Sequence, residues 1–147
     1  MTRQRVGTME LADDEARTRF LTVPVVRLAT ADDLGQPHIV VTTFVVTNDV
    51  IFTAVDSKPK QSRNLKRLRN VKINPRVSVL ADRYEDDWTQ LWWARADGTA
   101  TVIEDEDGMA EPIRLLGEKY WQYRRNRPDG PVIAVTVERW TGWTYSR

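Results

Sequence analysis

Cysteine is absent from this chain and histidine occurs once, at His38. The first absence excludes disulfides, thiolate metal sites and cysteine nucleophiles together. With no cysteine and no second imidazole, the sequence also argues against a zinc centre, and no metal is expected. Charge of one sign is lacking too: 22 basic and 21 acidic side chains leave a net +1, so any electrostatic argument has to be local. Long hydrophobic runs are missing. No stretch of eighteen apolar residues occurs, and no apolar core follows the arginines near the start, which predicts neither a membrane span nor an exported leader. A cytoplasmic protein is the expectation. Also missing are a Gly-x-Ser-x-Gly elbow, a Walker loop and a Gly-x-Gly-x-x-Gly fingerprint. If the protein is an enzyme, a bound cofactor has to bring the reactive groups.

What the chain does contain is a globular composition, 41% apolar and 29% charged in 147 residues, enough for one core and too little for two. No repeat or linker divides it. Residues 1–9 read as a flexible tail and 10–147 as a single domain. Glu10–Leu21 is expected to be a short helix anchored by Leu11, Phe20 and Leu21. Strands are expected at Val25–Ala31, His38–Val46 and Val50–Ala54, forming a meander. The spacing of Leu65, Leu68 and Val71 predicts a helix over Ser62–Ile73 with those residues in the core. A strand at Arg76–Ala81 is followed by a hairpin, Leu91–Ala96 and Thr99–Ile103, turning at Asp97-Gly98. Glu106–Arg124 reads as a helix and Val132–Trp140 as the closing strand. Six or seven antiparallel strands with two or three helices make a mostly β, α+β barrel.

Between Ser57 and Ala81 stand eight basic residues and no acidic one: Lys58, Lys60, Arg63, Lys66, Arg67, Arg69, Lys72 and Arg76. They span a strand end and a helix start, where free amide N–H groups and the helix dipole favour an anion such as a phosphate. A solvated helix face explains the same run, and the rest of the chain offers no basic continuation or module for nucleic acid. The second concentration is aromatic: Tyr84, Trp88, Trp92 and Trp93, interleaved with Asp82, Glu85, Asp86 and Asp87. Such rings wall a planar ligand, fill a subunit interface or simply fill a core. Trp140 and Trp143 fit packing.

Leu28-Ala29-Thr30-Ala31, Gly35-Gln36-Pro37-His38, Asp56-Ser57-Lys58-Pro59-Lys60 and Asn74-Pro75-Arg76-Val77-Ser78-Val79-Leu80 occur in an order that resembles the pyridoxamine 5′-phosphate oxidase-like superfamily. The run Tyr84, Asp86-Asp87-Trp88, Leu91-Trp92-Trp93, Arg95, Gly98, Ala100 is similar to its branch of deazaflavin (coenzyme F420)-dependent oxidoreductases. The resemblance implies a split β-barrel that binds FMN or coenzyme F420 in clefts at a homodimer interface. It implies Lys58 and Lys60 at the cofactor phosphate, with Arg63 and Arg67 nearby. It places Pro37 and the strand after it along the ring system, and Trp88 and Trp92 in a region that reaches the opposite subunit's cofactor. The arginine- and histidine-containing segment with which true oxidases hold pyridoxal phosphate has no counterpart before Arg147, so vitamin B6 oxidation is not expected. Coenzyme F420, with its phosphodiester and oligoglutamate tail, suits the basic run better than FMN with one phosphate. The expectation is hydride transfer to a small organic acceptor without nucleic-acid or membrane partners, the alternatives being an FMN enzyme or a non-catalytic cofactor- or haem-binding protein. A ligand-binding role for Lys58 has a cheap test: Lys58→Ala should leave the melting temperature nearly unchanged, since exposed charges contribute little to stability.

Overall fold

The computed structural model describes residues 9–55 and 62–146, with the backbone alone for 62–65. The elements run β1 (Met9–Glu10), α1 (Asp13–Phe20), β2 (Val26–Ala31), β3 (Pro37–Thr42), β4 (Val45–Thr47), β5 (Val50–Ala54), α2 (Ser62–Ile73) and β6 (Arg76–Arg83). A 3-10 turn (Trp88–Gln90), β7 (Trp92–Ile103), α3 (Glu106–Lys119), α4 (Trp121–Arg125) and β8 (Val132–Thr144) follow. The strands form one antiparallel sheet in the order β3-β2-β6-β7-β8-β5-β4, with β1 added to β8.

Chain order bends this sheet. β3 and β4 are its two ends, yet only Thr43 and Phe44 separate them. Three Cα steps of 3.8 Å hold those ends within about 11 Å of each other. The sheet therefore curls into a barrel whose last seam carries no strand pairing, which is a split barrel. Side chains from the α3–α4 corner cover the seam. Tyr120 Oη donates to the Pro24 carbonyl at 2.8 Å and accepts from the Phe44 amide at 3.1 Å, while Tyr123 Oη and Thr43 Oγ1 share a hydrogen bond of 2.8 Å.

Strand alternation fills the inside. Val77, Val79 and Ala81 of β6, and Trp92, Ala94, Ala96 and Ala100 of β7, are buried, as are Val26 and Leu28 of β2. α1 plugs one end: it buries Ala16 and Phe20, and the Phe20 ring meets Phe44 and Trp140 edge-on at 5.3 and 5.1 Å. α2 lies against β2 and β7 through Leu68 and Val71, with Asn70 Nδ2 donating to Thr30 Oγ1 at 3.0 Å.

Several expected boundaries move. The meander is not formed, because β2–β3 and β4–β5 are hairpins at opposite ends of the sheet. His38–Val46 is two strands for the same reason. Asp97-Gly98 makes no hairpin: β7 runs straight through it, paired with β6 on one side and β8 on the other. A Cβ on Gly98 would stand 2.2 Å from the Thr136 carbonyl oxygen, so this glycine serves a close strand approach beside a β-bulge. The helix expected over Glu106–Arg124 breaks at Tyr120, whose backbone is extended while its hydroxyl is tied to the seam. Leu21 follows α1 and is 40% exposed, so of the three expected anchors only Leu11 and Phe20 are buried, joined by Ala16. Leu65 and most of the expected tail lie outside the described side chains, and Met9 pairs with Thr144. Among the described residues there are eight strands, β1 being the addition.

Two substitutions measure these constraints. Leu68→Ala, at a buried position, should cost about 2–5 kcal/mol. Gly98→Ala should cost about 1–3 kcal/mol, because backbone rather than a movable side chain blocks the new methyl. Denaturant titration with the unfolding slope held constant reads both.

Candidate functional site

The strand positions between the core residues form the outer face. On β3, β2, β6 and β7 these are Pro37, Ile39 and Val41; Arg27, Ala29 and Ala31; Ser78, Leu80 and Asp82; Trp93, Arg95 and Asp97. Register sets Ile39 beside Ala29, Ala29 beside Ser78, and Ser78 beside Asp97. Ile39 and Val41 are 64% and 60% exposed. A polar lattice holds the middle of the face. Arg27 Nη1 meets Asp82 Oδ1 at 3.0 Å, Ser78 Oγ donates to Asp97 Oδ1 at 2.6 Å, and Arg95 Nε stands 3.0 Å from Asp97 Oδ1. The Arg95 guanidinium lies over the Trp93 ring at 5.7 Å.

Two clefts open on this face. The larger, about 630 Å³, has small residues at its floor (Ala29, Ala31, Ser78, Gly98), and its walls carry Arg76 and Arg139 together with the carboxylates of Asp97 and Glu138. Among the described residues neither arginine has a carboxylate within 4.0 Å. The smaller, about 360 Å³, lies between Leu80, Asp82, Tyr84, Trp93 and Arg95. Small side chains leave room for a ring in the larger cleft; its two carboxylates are engaged, Glu138 by the Thr99 hydroxyl and Asp97 by Ser78 and Arg95, which leaves the Arg76 and Arg139 guanidinium groups to meet an anionic substituent.

The expected site residues fall unevenly around it. Pro37 is exposed at the start of β3, opposite Ala31 in the larger cleft. Lys58 and Lys60 lie outside the described residues, as does the side chain of Arg63. Asp32, in the β2–β3 turn, has its carboxyl held below the ordinary range by the Gln36 amide, then by the Leu34 amide and the Lys66 ammonium of α2. Arg67 is half-buried beside Tyr123. Its Nε is enclosed without a hydrogen-bond partner, and burial draws its pKa down, opposed by the Tyr123 phenol. Trp88 is 64% exposed, whereas Trp92 is 8% exposed within the core, with Arg19 over its ring at 5.8 Å. His38 pairs with Thr30 at an inward position, and its Nδ1 is buried without a partner. Among the described residues no three His, Asp or Glu side chains gather as a metal site.

Sequence reasoning missed the outer lattice and Arg139. Its signal was the alternation in Arg76–Arg83 and Trp92–Asp97, where every second residue departs from the core pattern. Lys119 was missed as well. Its Nζ donates to the Phe44 carbonyl at 3.0 Å and sits 3.4 Å from the Phe44 ring centroid, and burial pushes its pKa down to about 8.

Known proteins share this architecture. An FAD-binding protein from Mesorhizobium loti superposes with a TM-score of 0.68 at 20% identity, covering 92% of this chain and 96% of the other. An FAD-binding protein from Mycobacterium smegmatis gives 0.63 at 23% identity, covering 92% and 96%. A haem storage protein from Vibrio cholerae gives 0.65 at 18% identity, covering 86% and 89%. No curated protein matches the sequence. The model of the pyridoxamine 5′-phosphate oxidase family matches residues 12–144, nearly the whole described barrel. By that match, and by the split barrel it occupies, the chain belongs to the pyridoxamine 5′-phosphate oxidase family.

Proposed function

We propose that the protein is a homodimer that binds coenzyme F420 and serves as an oxidoreductase, passing hydride to a small organic acceptor. The observation that carries this reading is the outer face, where exposed Ile39 and Val41 adjoin an arginine-walled cleft. The solvated side of an antiparallel sheet is ordinarily polar, and an apolar patch there fits a two-fold partner. Such a partner would also roof the cleft and exclude water from a bound ring.

When bound, the reduced deazaflavin supplies the hydride. The protein's share is placement. Lys58 and Lys60 hold the phosphate, Arg63 and Arg67 follow the anionic tail, and the β3 backbone from Pro37 lies along the ring. Trp88 has the exposure needed to reach a partner's cofactor, while Trp92 is occupied in its own core. A flavin such as FMN is the competing cofactor, a class to which the FAD bound by two structural neighbours belongs. Haem is less well served: the single imidazole, His38, stands at an inward position opposite Thr30.

Fluorescence titrations with both cofactors at two ionic strengths test the choice. Coenzyme F420 should bind more tightly than FMN and lose affinity as salt screens the basic contacts. Lys60→Ala should weaken both about tenfold to a hundredfold, the equivalent of roughly 1.5–3 kcal/mol for a charge-assisted hydrogen bond. Tighter wild-type binding of FMN would overturn the cofactor. Sedimentation should show a dimer that Ile39→Asp with Val41→Asp converts to monomer; a wild-type species of 17.0 kDa at micromolar concentration counts against the interface.

A further inference from the structure

The inward face of the sheet continues past the end of the apolar core. Arg83, Trp92 and Thr144 form one rung across β6, β7 and β8. Arg83 occupies the inward parity of Val77, Val79 and Ala81, so the rung begins with a guanidinium where the pattern calls for an apolar side chain. α1 brings Arg19 over this rung. Together with the 3-10 turn and the end of β8, these residues enclose a pocket of about 460 Å³ lined by Arg19, Arg83, Thr89, Trp92, Thr144 and Ser146. It lies on the opposite side of the sheet from the outer-face clefts.

Arg19 is poorly satisfied there. It is half-buried, it stacks over Trp92 at 5.8 Å, and its one side-chain hydrogen bond among the described residues is a long one, Nη1 to Thr144 Oγ1 at 3.4 Å. A guanidinium has five N–H donors, so most of these are left without a protein acceptor. The carboxylates at the rim are already engaged. Glu85 Oε2 takes the Arg83 Nε at 2.7 Å, leaving the Arg83 Nη groups, and Asp87 Oδ1 accepts from the Thr89 amide and hydroxyl at 3.1 and 2.6 Å. The hydroxyl protons are spent within the protein: Thr144 Oγ1 donates to the Ser146 carbonyl and Ser146 Oγ to the Thr89 carbonyl, both at 2.8 Å, which leaves the guanidinium groups as the donors for a ligand.

We propose that this pocket is a second ligand site, which takes the oxyanion group of a small molecule, a carboxylate or a phosphate, between Arg19 and Arg83 with Trp92 beneath it. Paired guanidinium forks match such groups in plane and charge, and the indole supplies an apolar surface for the rest of the ligand. The site does not depend on which cofactor occupies the outer face.

Calorimetric titration of the full chain with inorganic phosphate and, separately, with benzoate tests the site and distinguishes the two oxyanions. A Lys58→Ala/Lys60→Ala/Arg76→Gln/Arg139→Gln variant serves as the parent, so that neither the proposed cofactor phosphate contacts nor the arginines of the larger outer cleft contribute. At least one probe should bind the parent saturably at one site per chain. Arg19→Gln and Arg83→Gln, each added to the parent, should weaken that binding tenfold or more, with circular dichroism reporting whether each remains folded. Arg83 is exposed, so its variant keeps the test valid if Arg19→Gln unfolds. Non-saturable uptake of both probes, or unchanged affinity in either folded variant, would overturn the proposal.

Discussion

Two residues, Thr43 and Phe44, set the shape of this molecule. They join strands at opposite ends of a sheet path, and a connection that short leaves the sheet no option but to curl. The resulting seam has no strand ladder, so its backbone groups need other partners. Tyr120 and Lys119 supply them from the α3–α4 corner, and Tyr123 adds a bond to the Thr43 hydroxyl. Burial raises the Tyr120 pKa above the ordinary phenol value and lowers that of Lys119, which is the expected consequence of placing ionisable groups where protein replaces water. The seam is therefore covered by side chains that carry hydrogen bonds at their tips and apolar surface along their length.

Closing the barrel gives each strand two faces with different duties. The inner face packs around Phe20, Phe44 and Trp140, and the outer face is free to carry chemistry. Strand parity is strict, so one residue of slip would exchange the two sets. The bulge opposite Gly98 is where β8 absorbs an extra residue, and Asp97, Gly98 and Arg139 all line the larger cleft beside it. Bulges re-aim strands near functional sites, and here the re-aimed segment carries Arg139.

Much of this was legible in the sequence. β-branched runs located β2, β5 and β6, and helical spacing located α2 and the start of α3. Local patterns could not report non-local connection. Nothing in Thr43-Phe44 marks a crossing from one sheet end to the other, and Asp97-Gly98 carries ordinary turn chemistry that is overridden by strands pairing on both sides. Trp92 and Trp88 look alike as letters, yet register puts one in the core and leaves the other exposed. For the candidate site, the sequence pointed to Pro37, which stands opposite Ala31 of the larger cleft, while Lys58 and Lys60 lie outside the described residues. The outer cleft is assembled from β2, β6, β7 and β8, whose shared face exists only once the sheet is ordered.

β8 bonds to β7 along one edge and to β5 along the other, with β1 added at its far end. It is also the final element of the barrel to be synthesised. Without it, no strand pairing among the described residues joins the β4–β5 hairpin to the β3-β2-β6-β7 half-sheet, and each has an unpaired edge. Such edges are templates for pairing with other chains. Once β7 has been made and before β8 follows, the chain can form only two half-sheets with open edges, and β8 is the strand that joins them.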